Sequence, residues 1–123
     1  MTFLDILDRT LSGPIYKVKD WDFSIIPSKV KGVLQAHGLE KTYDPDNPIN
    51  TDDGLADDFW KAGFDLALET GMYCPETERV IKFTKEELDS ALRDAPSEAV
   101  VGRGKDAVKI KTRCPEDKIQ TVP

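Results

Sequence analysis

The N-terminal residues alternate apolar and charged side chains at helical spacing. Their apolar positions are Phe3, Leu4, Ile6, Leu7 and Leu11. Because residues three and four apart share one face of a helix, this pattern predicts a short amphipathic helix. The helix should end at Ser12-Gly13-Pro14, since glycine and proline stop helices.

A second helix is predicted after an extended segment through Trp21 and Phe23. Pro27 fits the first turn of this helix, where a backbone N–H would have no partner in any case, and Val30, Val33 and Leu34 are its apolar residues. The apolar residues that follow have helical spacing, and Gly38 marks the end. We expect about ten residues of helix.

Residues 42–54 are rich in proline, asparagine, aspartate and glycine, so we interpret them as a surface loop. A longer helix, capped by Asp52 or Asp53, is predicted to run to Thr70. It carries the densest aromatic face of the chain: Phe59, Trp60 and Phe64. Burial of each ring would contribute roughly 2 kcal/mol, so these rings are predicted to form the core. Phe64→Ala would then cost about 3 to 5 kcal/mol.

The next segment is predicted to be a strand followed by a helix. Residues 79–83, with the sequence RVIKF, are rich in β-branched and aromatic side chains, which indicates a strand. Thr84 and Glu87 fit the capping box that begins a helix, and Pro96 ends that helix.

A hairpin is predicted at the C-terminal end, where residues 98–101 and 107–111 flank a turn at 102–104. The predicted fold class is therefore α+β: a small helical domain with a short strand and a C-terminal hairpin. We expect one domain over residues 1–123, with an irregular tail at 115–123.

Composition and charge narrow the function classes. The chain is 39% hydrophobic and 33% charged, with a net charge of −6. Lysine and arginine are scattered among acids, so binding to nucleic acid phosphates is disfavoured. The N-terminus lacks the basic and apolar regions of a signal peptide, and no apolar run has membrane-spanning length. We expect a soluble cytoplasmic protein that binds neither nucleic acid nor membrane.

The two cysteines and single histidine are too few and too scattered to complete a four-coordinate metal site. Cys74 and Cys114 are expected to be free, non-catalytic thiols in a reducing compartment. His37 precedes a predicted helix end, which favours a structural role there over proton transfer. The acids of the 42–54 loop lack the bidentate glutamate of a calcium loop, so we interpret them as turn and cap residues.

The turn Gly102-Arg103-Gly104-Lys105-Asp106 places glycines beside basic side chains. Its backbone N–H groups could bind an anion, so Arg103 and Asp106 are candidate anion or partner contacts. The alternative is that the glycines supply the positive φ angles of a hairpin. Trp21, in an acidic extended segment, is a candidate partner contact, whereas Trp60 is predicted to be core. No catalytic, cofactor-binding or metal-binding residue is predicted.

Longer motifs carry a family resemblance. They are DWDFSIIPSK from Asp20, KAGFDLALETGMYC from Lys61, RVIKFT from Arg79, EELDSAL from Glu86 and GRGKDAVKI from Gly102. From about Asp8 to Lys118, the chain resembles the N-terminal region of monomethylamine:corrinoid methyltransferases, a family of archaeal methylamine metabolism. The resemblance implies the segment that precedes a (β/α)₈ barrel.

Enzymes of this family transfer a methyl group from monomethylamine to the cobalt of a corrinoid protein during methanogenesis, and their barrel carries the amino acid pyrrolysine. The resemblance implies that the barrel lies beyond Pro123. It therefore implies no catalytic residue in this chain, and no cofactor other than the family's pyrrolysine and the corrinoid borne by the partner. The implied partners are the barrel and the corrinoid protein.

Two hypotheses follow. In the first, the segment supports packing and assembly of the barrel; in the second, it is a free-standing protein-binding module without catalytic activity. The first hypothesis predicts an uncovered apolar patch, through which the isolated chain should self-associate or bind the barrel fragment. The expected contributors are Phe3, Leu7, Leu11, Trp21 and Phe23.

Overall fold

A computed structural model describes residues 2–113, whose helices and short antiparallel strand pairs confirm the α+β prediction. The chain divides after Leu88 into two compact units, called the first and second unit below. That the whole chain forms one domain stays a prediction. The predicted tail at 115–123 and Cys114 lie outside the described residues.

Helix α1 spans Phe3–Ser12, as the apolar spacing predicts. A capping box that we did not predict begins it. The Asp5 backbone N–H donates to the Thr2 hydroxyl at 3.3 Å, and the Thr2 backbone N–H donates to the Asp5 carboxylate at 2.6 Å. These two bonds satisfy N–H groups that a helix start leaves without partners.

The segment around Trp21 is helical, so the predicted extended conformation is wrong. A short α2 at Val18–Asp20 leads into a π-helical turn at Trp21–Ile25 and then into α3 at Ile26–Ala36. The wider π turn, with the Ile26 N–H bonded to the Trp21 carbonyl, lets the helix continue past Pro27. Pro27 lies in the first turn of α3 as predicted, and the 11 residues of α3 match the expected length, but the helical run begins earlier, at Val18.

Helix α4 spans Asp53–Thr70, and its predicted cap is confirmed. The Asp52 carboxylate accepts hydrogen bonds from the N–H groups of Gly54 and Leu55. Gly71 ends the helix with a φ of +72°, a conformation that glycine adopts without steric cost.

The core between α3 and α4 is aliphatic, so the prediction that the α4 aromatic residues form it is wrong. The buried residues here are Val33, Leu39 and Ala62. Partly buried leucines surround them: Leu34, Leu55 and Leu66. Trp60 is 60% exposed, Phe59 is also exposed, and Phe64 is half-buried. The small Ala62, and not the rings, turns toward α3.

Strands β1, at Met72–Cys74, and β2, at Arg79–Ile81, form an antiparallel pair. The sequence predicted β2 as residues 79–83, two residues longer than the observed strand. It did not predict β1, because a strand of three residues shows almost no periodicity. Val80 and Ile81 are the most deeply buried side chains among the described residues. The Val80 N–H donates to the Pro14 carbonyl at 2.9 Å, which ties the end of α1 to β2.

Helix α5 spans Lys85–Asp94, and its predicted capping box is confirmed. In the second unit, β3 at Glu98–Val101 pairs antiparallel with β4 at Val108–Lys111, which confirms the predicted hairpin. A short 3₁₀ turn at Gly104–Asp106 lies in the connection.

None of the helices within residues 2–113 is both long enough and apolar enough to cross a membrane.

Ile81→Ala should lower the free energy of unfolding by about 2 to 5 kcal/mol, because it empties a site that is 1% exposed. Phe64→Ala should cost less than Ile81→Ala, since only part of that ring is removed from water. Val100→Ala, at an exposed position, should change stability by no more than about 0.5 kcal/mol. Chemical denaturation midpoints test this order, and a larger loss for Phe64→Ala would contradict the placement of the core at β2.

Candidate interface surfaces

Helix α1 presents its apolar stripe to solvent. The exposed residues of this stripe, which we call the α1 stripe, are Phe3, Leu4, Leu7 and Leu11. Phe3 is 77% exposed. The half-buried side of α1 contains Ile6, Arg9 and Thr10 instead. The helix therefore contacts its own unit mostly through polar side chains and leaves its larger apolar face uncovered.

Arg9 holds α1 in this orientation. Its guanidinium forms a two-pronged ion pair with Glu87, with N–O distances of 2.8 and 2.6 Å. The same side chain donates to the Lys82 carbonyl at 2.8 Å. A planar guanidinium that binds both carboxylate oxygens and a carbonyl fixes direction as well as distance.

Glu87 accepts hydrogen bonds from α1 and from the start of α5. Its carboxylate accepts from Arg9 of α1 and also from the Thr84 N–H at 2.9 Å, the capping bond of α5. These hydrogen bonds, from Arg9 first and then from Thr84, lower the pKa of Glu87 from its ordinary 4.5 to about 2. The carboxylate therefore remains charged across all but strongly acidic conditions.

A second exposed apolar surface lies on α4. The rings of Trp60 and Phe64 stack with their centroids 5.7 Å apart, and the Lys85 ammonium lies 5.2 Å from the Phe64 centroid. Exposed tryptophans are uncommon and are enriched at protein interfaces. Trp60 was predicted to be core, and its 60% exposure contradicts that prediction.

Trp21 is 7% exposed, which leaves little of its ring free for the predicted partner contact. Its indole stacks on the Tyr73 ring at 5.1 Å and lies 5.7 Å from the Tyr16 ring. The Tyr73 hydroxyl donates to the Tyr16 carbonyl at 2.8 Å, and burial raises the pKa of Tyr73. The helical conformation turns Trp21 inward and leaves its neighbour Phe23 exposed.

Arg103 and Asp106 share the turn of the hairpin, where the Asp106 N–H donates to the Arg103 carbonyl at 3.2 Å. Gly102 and Gly104 have φ angles of +92° and +58°, as the hairpin alternative predicts. Both candidate residues are exposed. Anion or partner binding by these two residues stays a prediction.

The remaining polar candidates have local structural roles. His37 caps α3, and its Nε2 lies 2.9 Å from an Asp65 carboxylate oxygen. The Asp44 carboxylate accepts from the Asp46 N–H at 2.9 Å, a turn contact of the predicted kind. Within residues 2–113, no three His, Cys, Asp or Glu side chains are grouped to hold a metal ion.

Strands β3 and β4 form the third exposed apolar surface. Successive side chains in a strand point to opposite faces, and the register pairs Ala99 with Ile110 and Val101 with Val108. These four residues therefore share one face, which we call the hairpin face, and all four are exposed. The sequence predicted the strands, but we did not infer this apolar face from their alternating side chains.

Comparisons with known proteins agree on one family. A family profile described as "Monomethylamine methyltransferase MtmB" matches residues 1–122. Monomethylamine methyltransferase MtmB3 of Methanosarcina barkeri is 36% identical over 118 residues, covering 96% of this chain and 25% of the relative. MtmB of Methanosarcina mazei is 33% identical over 114 residues, covering 93% of this chain and 24% of the relative.

Solved structures give the same result. The crystal structure of Methanosarcina barkeri MtmB has a TM-score of 0.74 and 35% identity, covering 88% of this chain and 23% of that chain. A hydroxylamine MtmB complex matches equally well. The chain thus spans about a quarter of the length of the relatives that it matches.

The ion pair predicts a specific pH dependence. Because the pKa of Glu87 is lower in the folded state, its contribution to stability is complete above about pH 4.5 and is lost as the pH falls toward about 2. Glu87→Gln should therefore be less stable than the parent at pH 7, and the difference should shrink between pH 5 and pH 2. Glu86→Gln, in the same first turn of α5, is the matched control and should run parallel to the parent. Denaturation at several pH values tests this, and parallel profiles for Glu87→Gln would contradict it.

Proposed function

The chain belongs to the monomethylamine methyltransferase MtmB family, and we propose that it is a non-catalytic N-terminal part of such an enzyme. Its role would be to pack against the polypeptide that follows this region in the relatives and to support assembly. The whole enzyme would transfer a methyl group from monomethylamine to a corrinoid protein in the cytoplasm. The barrel and its pyrrolysine would belong to that following part.

The α1 stripe is the observation that carries this proposal. A helix that stands alone on a small unit normally turns its apolar face inward. Here Arg9 and Glu87 hold the polar side inward, and four large apolar residues remain in water. Covering each of them would contribute about 1 to 2 kcal/mol, which favours a partner surface over solvent.

The exposed Trp60 ring supports the same proposal independently. The α1 stripe alone would be a small contact, because association costs several kcal/mol of lost freedom before any affinity remains. A second apolar surface on the first unit adds to the area that a partner could cover. Rigid aromatic rings also lose little conformational freedom when they bind.

The charged contacts around α1 and at the end of α4 are structural. The charged side chains near α1 are engaged in an ion pair and in helix capping, and Lys82 donates to the carbonyls of Glu69 and Thr70 at the end of α4. Burial lowers the pKa of Lys82. These contacts stabilise helix ends, and none of them places an acid, base or nucleophile beside another reactive group.

The first test is association through α1. The Leu7→Ser and Leu11→Ser double variant should bind the separately produced remainder of the M. barkeri MtmB at least about tenfold more weakly, since two apolar contacts are lost. Ser12→Ala, at an exposed position on the same helix but off the stripe, should bind like the parent. Sedimentation velocity measures binding, and circular dichroism checks that α1 still forms.

The same measurement can contradict the proposal. A parent chain that remains monomeric at all concentrations and has no affinity for the remainder of MtmB would favour the autonomous binding module. Self-association of the parent chain that is weakened by the double variant would support an uncovered α1 stripe.

The second test is activity. The isolated chain should not form methyl-cobalt from monomethylamine and a reduced corrinoid protein above the rate without protein, because we find no active site assembled within residues 2–113. Full-length MtmB from M. barkeri is the positive control. Spectroscopic detection of methyl-cobalt with the isolated chain would show that an active site had been missed.

A further inference from the structure

The β3–β4 hairpin is amphipathic across its two faces. The hairpin face holds Ala99, Val101, Val108 and Ile110. The opposite face carries Glu98, Lys109 and Lys111 around Val100, and the Lys109 ammonium lies 2.7 Å from the Glu98 carboxylate. One side of the hairpin is therefore suited to water, and the other is suited to packing.

The register of the hairpin is held by hydrogen bonds at its open end and by a close backbone approach at its closed end. At the open end, the Thr112 N–H and hydroxyl donate to the Ser97 carbonyl at 2.8 and 3.0 Å. At the closed end, the chain passes so near Gly102 that a Cβ atom there would overlap the Asp106 carbonyl oxygen. Because the register is held at both ends, the four apolar side chains stay on a single face.

A two-stranded hairpin with an uncovered apolar face is marginally stable in water. All residues of both strands are exposed, so the described part of the second unit does not cover them. Uncovered apolar faces of this kind mark interaction sites. The hairpin face therefore needs a further layer of protein to cover it.

We propose that the hairpin face docks on the part of the MtmB polypeptide that follows this region in the relatives, an inference that rests on the proposed function. This chain covers a quarter of the relatives, whose remaining length follows the matched N-terminal region. Strand β4, which ends at Lys111, is the last described element before that point. The polypeptide that follows in the relatives is therefore joined to the hairpin through the residues after Lys111, and this connection keeps it near the hairpin.

Neighbouring valines on opposite faces provide a matched test. Val101, on the hairpin face, is 56% exposed, and Val100, on the other face, is 66% exposed. Val101→Glu should weaken binding of the full chain to the separately produced remainder of M. barkeri MtmB by about tenfold or more, because a buried carboxylate opposes docking. Val100→Glu adds the same charge opposite Lys109 and should change the affinity by less than about threefold.

Hydrogen exchange locates the contact. When the remainder of MtmB is added, amide exchange in β3 and β4 should slow in the parent and in Val100→Glu, but not in Val101→Glu. Protection of α1 should persist in all three proteins. Similar exchange in the three free chains would show that neither substitution unfolds the hairpin.

The outcomes separate this inference from the proposed function. Binding that protects α1 but leaves β3 and β4 unchanged would overturn the hairpin contact and leave the proposed function standing. The absence of any complex would overturn both. If Val101→Glu dissociated copies of this chain from one another but bound the remainder of MtmB normally, the occupant would be a second copy and the inference would be wrong.

Discussion

The close approach of two helix ends to the backbone of β2 is the constraint on which the first unit depends. A Cβ atom at Gly13 would overlap the Val80 carbonyl oxygen, and one at Gly71 would overlap the Ile81 carbonyl oxygen. A larger residue at either position would push α1 or α4 away from the strand. The two glycines therefore allow the burial of Val80 and Ile81 and fix the position at which α1 ends against β2.

The position of α1 determines which of its faces remains free. With its C-terminal end fixed at β2, the helix can still rotate about its axis, and the Arg9–Glu87 pair removes that freedom. A partly exposed ion pair contributes modest stability on its own, but two parallel hydrogen bonds to a carboxylate specify direction. The pair thus acts mainly on orientation: it keeps the apolar stripe outward, where a partner could reach it.

Local signals in the sequence predicted most helix ends, whereas tertiary contacts determine which side of each helix is buried. Asp52, Gly71 and the Thr84–Glu87 box act within a few residues, so α4 and α5 could be placed from sequence. The burial of Trp21 could not be predicted in this way, because the π turn that accommodates Pro27 has no clear sequence signature. The Arg9–Glu87 pair joins residues 78 positions apart, and no periodicity indicates such a contact. The exposed state of Trp60 likewise depends on the packing of Ala62 against α3.

The exposed apolar surfaces lie in two different units, which affects how the chain would bind a partner. The α1 stripe lies in the first unit and the hairpin face in the second, and the two are covalently joined through α5. When two modest contacts belong to one chain, formation of the first raises the effective concentration of the second. Neither surface then needs to be large, and each can remain in water without forming the extended patch that promotes aggregation. A segment built in this way would lose affinity stepwise as its surfaces are altered, and its core at β2 would remain intact throughout.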